Sequence, residues 1–196
     1  MTTTEPDEAD GHPDSVWVSS DRTVDDYYVA TVHPSSDVSI PLTAHQAVAY
    51  AITVLRAVAD AEYDAAVLAQ ITTATGGDQH AAAATVMQLR EARPPRDTAP
   101  TAPLVFTPIV SKANGHPFVL VHLHGQALTQ WTPEDARGHA QHVLDVAIVA
   151  DHDAAYLHYL TSVVALEPER ARVAVDALRQ HRHNQPTTQE GTTDVH

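Results

Sequence analysis

Histidine is the residue type that best equips this chain for chemistry, with fourteen copies in 196 residues, and the copies are unevenly placed. His122 and His124 alternate on a segment that reads as a β-strand, so both imidazoles point to one face. His139 and His142 follow at i, i+3 on a segment that reads as a helix, which again brings two imidazoles onto one side. Imidazole nitrogens hold zinc and other divalent transition metals when several converge within about 2 Å of the ion. These four residues are the candidate metal ligands, with Asp135, His152 and His158 as further donors in the same stretch. The competing reading makes histidine an ordinary amphipathic surface residue, and the paired-histidine-plus-acid spacing of a zinc protease is absent.

Asp64 and Asp153 are the second candidates. Two carboxylates brought close shift each other's proton affinity and can divide acid and base roles. The structural reading is favoured over this one: an Asp in a helix caps or kinks it through a hydrogen bond to nearby backbone. Other chemistries lack their residues. Cysteine is absent, which removes thiolate nucleophiles, disulfides, zinc–thiolate sites and iron–sulfur ligation together. There is no Gly-x-Ser-x-Gly elbow, phosphate-cradling glycine loop or dinucleotide fingerprint, and Gly76-Gly77 reads as a helix stop. Trp17, Trp131 and the tyrosines read as core more readily than as a recognition surface.

The elements that must position these residues occur twice. Shifted by 89 residues, 15–93 aligns with 104–182 without a gap, so that Thr43 falls on Thr132, Val54 on Val143, Asp64 on Asp153, Arg90 on Arg179 and Arg93 on Arg182. His122, His124, His139 and His142 fall on His33, Ser35, Tyr50 and Thr53, which confines a metal site to copy two. Each copy opens with two extended segments, 15–19 and 27–32 in the first, 104–110 and 118–122 in the second, the latter pair flanking an Asn114-Gly115 hairpin signal. Pro108 assigns its strand to an edge or a bulge.

A long helix follows. Thr43 with Gln46 forms a capping box, and Thr132 precedes Pro133, Glu134 and Asp135, all favourable in a first turn. Apolar residues at 47, 51, 54, 55, 58, 61, 65 and 68 predict one buried stripe. A last helix starts after Asp78 and after Pro168, ending near Arg93 and Arg182; its arginines complement helix ends and neighbouring acids. Each unit therefore reads ββαα, or ββααα if the long helix breaks near Asp64 and Asp153.

Such a unit buries only about 60 to 65% of its unfolded surface, and a lone hairpin is marginal in water. Docking relieves both shortages. The expected fold is α+β, a tandem duplication whose hairpins pair into one antiparallel sheet with the helices on one face, related by a pseudo-two-fold axis. Residues 1–14 read as a disordered acidic tail, 94–103 as a proline-rich linker and 183–196 as a second disordered tail.

The formal charge is −14, yet five acids lie in residues 1–14 and two in 184–196, leaving 18 acids against 11 bases in the body. Without a basic stripe to displace counterions from phosphate, nucleic acid is not an expected partner. No run approaches about eighteen apolar residues and no signal-peptide pattern opens the chain, so neither a membrane nor export is expected, and the location expected is cytoplasmic. The abundance of Ala, Thr, Val and Asp with a single lysine, Lys112, fits a high-GC actinobacterial genome.

The stretch Trp131, Thr132, Pro133, Glu134, Asp135, Ala136, Arg137 through Ala155 resembles small uncharacterised actinobacterial and actinophage proteins, in which a β-hairpin leads into a Thr-Pro-capped, alanine-rich helix. The resemblance covers the hairpin and first helix of each copy, and copy one departs from it at Ala44, His45 and Val48. It implies a mobile-element or accessory origin and carries over no reaction and no functional residue. The function expected is that of a non-enzymatic intracellular interaction or regulatory protein, binding another protein through its docked repeats as a monomeric pseudo-dimer or a homodimer. The alternative is a metal-dependent enzyme or metal-binding protein that uses the copy-two histidines with zinc or another divalent transition metal.

Overall fold

The computed structural model describes residues 16–23, 27–93, 103–111 and 113–183, so the expectations for both tails and for nearly all of the linker lie outside the described residues. In chain order the elements are β1 (Trp17–Arg22), β2 (Tyr28–Ser35), β3 (Val38–Leu42), α1 (Ala44–Ala74), α2 (Gln79–Glu91), β4 (Leu104–Val110), β5 (Pro117–Leu123), β6 (Gln126–Trp131), α3 (Pro133–Ser162) and α4 (Pro168–His183). The class is α+β. The order βββαα occurs twice, and β2, α1 and α2 start 89 residues before β5, α3 and α4.

Each copy has a third strand that the hairpin reading lacks. The sheets are two, both antiparallel, in the orders β1-β2-β3 and β4-β5-β6, instead of one sheet made by pairing hairpins. The physical reason is that β3 and β6 occupy the free edges of β2 and β5, so each central strand completes its ladder inside its own copy. Pro108 stands on β4, an edge strand, where a missing N–H costs least. β5 stops at Leu123, and His124 and Gly125 make the next turn with φ of 51° and 81°. Two successive positive φ values are those of a two-residue type I′ hairpin loop.

Neither long helix breaks: α1 runs for 31 residues and α3 for 30. The Thr43 hydroxyl accepts from the Gln46 N–H while the Gln46 side chain accepts from the Thr43 N–H, and Thr132 and Asp135 repeat this reciprocal pair. Asp78 caps α2 by accepting from the Ala81 N–H at 3.0 Å.

By compactness the chain divides into Met1–Ala150 and Asp151–His196, a boundary that falls inside α3. Within the first unit α1 lies against β4 and β5 more closely than against β2 and β3. The inward residues Leu104, Phe106, Val119 and Val121 of the second sheet meet Tyr50, Val54 and Val58 of α1 in one cluster, which also holds Val32 from β2 and Ala140 and Val143 from α3. Copy one and the first half of copy two thus share a core, and copy one's long helix covers copy two's sheet. In the second unit Leu160, Ala171 and Val175 are buried.

Candidate functional site

The four copy-two histidines occupy three different settings. His122 is half-buried on β5 opposite Val105, His124 is exposed in the turn beyond the strand, and His139 and His142 stand one turn apart on α3. Strand alternation from His122 to His124 therefore fails, because the chain reverses at His124. Among the described residues no group of three or more His, Cys, Asp or Glu stands close enough to hold a metal ion.

His139 has a different set of neighbours. Its Nε2 lies 3.0 Å from the Tyr50 hydroxyl, and its ring packs 4.6 Å from that of Trp131. Phe106 meets Tyr50 edge-on at 5.3 Å and stacks on Trp131 at 6.0 Å. Tyr50 and His139 are each other's counterparts under the 89-residue shift, and a residue touches its own counterpart only beside a two-fold axis. Burial lowers the imidazole to about 4, helped by the charge of His142, and burial likewise pushes the Tyr50 phenol upward. Both groups stay neutral near pH 7, a hydrogen-bonded contact inside an aromatic wall rather than an acid–base pair.

Asp64 and Asp153 are buried, each in its own clamp. Asp64 accepts from Arg90 Nε at 2.5 Å and from Arg93 Nη2, with Asp60 3.6 Å from the same Arg93. Asp153 pairs with Arg182 and lies 3.5 Å from Arg179 Nε. The carboxylates join a long helix to the short helix after it, so they neither cap nor kink, and each is committed to two guanidinium groups. Symmetric spacing about the turns could have revealed this: Asp64 and Arg90 stand equally far from Gly77, as Asp153 and Arg179 do from Leu166.

A polar cluster that sequence reasoning passed over lies on the first sheet. Trp17, Ser19 and Asp21 share a face of β1, and Trp17 stacks at 4.9 Å on His33, its cross-strand neighbour. Ser19 Oγ donates to Asp21 Oδ2 at 2.7 Å and lies 2.7 Å from His33 Nε2, while Ser39 Oγ lies 3.0 Å from His33 Nδ1. The connectivity differs from a catalytic triad. The single proton of Ser19 is directed to Asp21, which leaves His33 to donate to Ser19 instead of deprotonating it, and Nδ1 faces a hydroxyl where a triad places the carboxylate.

A further apolar surface among the described residues is the outer side of α1. Its buried side comprises Ala47, Tyr50, Ala51, Val54, Ala57, Val58 and Ala61, yet Val48, Ile52 and Leu55 are also apolar and remain 45%, 41% and 40% exposed. Leu55, expected in the buried stripe, belongs to this second one. The fold does not require it: the corresponding positions of α3 carry Arg137, Gln141 and Leu144, the first two exposed. No helix among the described residues is long and apolar enough to cross a membrane. Comparison with known protein families, curated proteins and solved structures returns no match.

Proposed function

We propose that this chain is a non-enzymatic interaction protein that docks another protein chain on the outer face of α1. One observation carries the reading: three large aliphatic side chains at steps of four and three are exposed, and at the first two of these positions the sister helix places arginine and glutamine. Leaving such a stripe wet forfeits about 25 cal/mol for each Å² of apolar surface, and burying it against a partner recovers that loss. The polar groups of greatest chemical interest support the same reading from the other side. Both buried carboxylates are neutralised by arginine, and the Ser19 hydroxyl is bonded to a carboxylate.

A photo-crosslinking residue placed at Ile52, in the cell that makes the protein, tests this. A discrete polypeptide adduct is expected from position 52, none from the equivalent Gln141, and loss of the adduct on Leu55→Lys. Equal adducts from both positions, or an adduct indifferent to Leu55→Lys, would overturn the reading.

A further inference from the structure

The outer stripe of α1 does not end at Leu55. It continues through Ala59, Glu62, Ala66, Ala69 and Thr73, always at alternating steps of four and three, and all but Glu62 are exposed. A repeat of 3.5 residues sustained from 48 to 73 is the spacing of a two-stranded coiled-coil seam, here about 39 Å long. An ordinary amphipathic helix needs one such seam, and α1 already uses its other side for the core.

We propose that this seam binds a second copy of the same chain, with two α1 helices packed antiparallel across a two-fold axis; the proposal rests on the docking role of α1 put forward above. Size complementarity selects this occupant and this direction. The large aliphatic residues Val48, Ile52 and Leu55 open the seam, and the small residues Ala66, Ala69 and Thr73 close it. Antiparallel pairing sets Val48 against Thr73, Ile52 against Ala69, Leu55 against Ala66 and Ala59 against Glu62 of the other copy, so large meets small along the whole length. Parallel pairing stacks large on large at one end and leaves small facing small at the other.

Charge selects the same arrangement. Arg56 flanks the seam, is exposed, and has no ion pair among the described residues. Two turns further along stands the 59% exposed Tyr63, while the neighbouring acids are held within the chain, Asp60 beside Arg93 at 3.6 Å and Glu62 by Arg137 of α3 at 2.5 Å. Reversing one helix against the other brings each Arg56 beside Tyr63 of the second copy, a cation–π contact that the symmetry makes twice. Tyr63 already carries Arg93 over its ring at 5.4 Å within its own chain.

The full chain, which has no cysteine of its own, allows a direct test. Sedimentation equilibrium is expected to give a mass rising with concentration toward twice 21.1 kDa. Leu55→Lys is expected to hold the chain at the monomer mass with an unchanged thermal melt, since the position is exposed. Arg56→Glu is expected to raise the dissociation constant about tenfold. Mixed under mild oxidation, Ile52→Cys and Ala69→Cys chains are expected to form a covalent heterodimer, while neither alone forms a covalent homodimer. A wild-type chain that stays monomeric up to high concentration overturns the proposal, as does ready self-crosslinking of Ile52→Cys, the mark of a parallel pair. A monomeric chain whose position 52 still captures a different polypeptide removes self-association and leaves the docking role standing.

Discussion

His139 shows how far a residue's setting can move it from the role its spacing suggests. An i, i+3 pair of imidazoles reads as two metal ligands, but the fold turns one of them into a hydrogen-bond partner of Tyr50 against Trp131. The unfolded chain takes a proton on this imidazole near pH 6.5 and the folded chain only near 4. Stability is therefore complete above about pH 7 and is lost as the pH falls through that window, by about 2 kcal/mol at pH 5. Urea titrations at pH 7.5 and pH 5 are expected to show this difference in the wild type and to lose most of it in His139→Gln. The groups facing His139, Tyr50 from α1 and His142 from its own helix, are unchanged in that variant. The type and spacing of His139 were legible in the sequence, whereas its partner was not. Tyr50 lies 89 residues away, and no local periodicity reports a contact across the shared core.

At the scale of elements, the helix starts, the last helices and the Pro108 edge strand were readable because caps, turns and proline act locally. The third strands escaped notice. Val38–Leu42 alternates its apolar residues, but it is only five residues long and contains Pro41, which argues against a strand, and Gln126–Trp131 is half polar with adjacent Ala127 and Leu128, so it lacks the regular alternation of a half-buried strand. The outer stripe of α1 escaped because a helix apolar on two sides has a weak amphipathic signature, and the deeper stripe claimed Leu55. The union of α1 with α2 depends on a charge buried almost completely, with the Asp64 side chain 2% exposed. Changing Arg90 of α2 and Arg93 just beyond its end together to Ala leaves that carboxylate without either guanidinium and is expected to destabilise the protein by about 3 to 5 kcal/mol. Chemical denaturation measures the loss. The variant Arg170→Ala, at an exposed position of α4, is the control and is expected to change stability by less than about 1 kcal/mol.

The molecule as a whole depends on contacts between sequence-distant segments. α1 closes over a sheet whose strands lie beyond residue 103, so residues 15–93 alone would expose the Tyr50, Val54 and Val58 side of that helix. That fragment is expected to show no cooperative thermal transition as a monomer, whereas the full chain melts cooperatively; calorimetry on both makes the comparison. The docking of copies was foreseeable from surface-to-volume scaling. The cover that copy one's long helix gives to copy two's sheet was not, because either sheet offers α1 a similar apolar face.

That cover fixes an order of events on the ribosome. α1 is complete at Ala74, but the strands that shelter its inner side are complete only at Leu123, about 50 residues later. At ordinary elongation rates the nascent helix waits roughly 2 to 10 s with both of its apolar sides wet. During that interval it is at its most vulnerable to aggregation and to chaperone capture, a hazard that ends with the synthesis of the second copy's sheet.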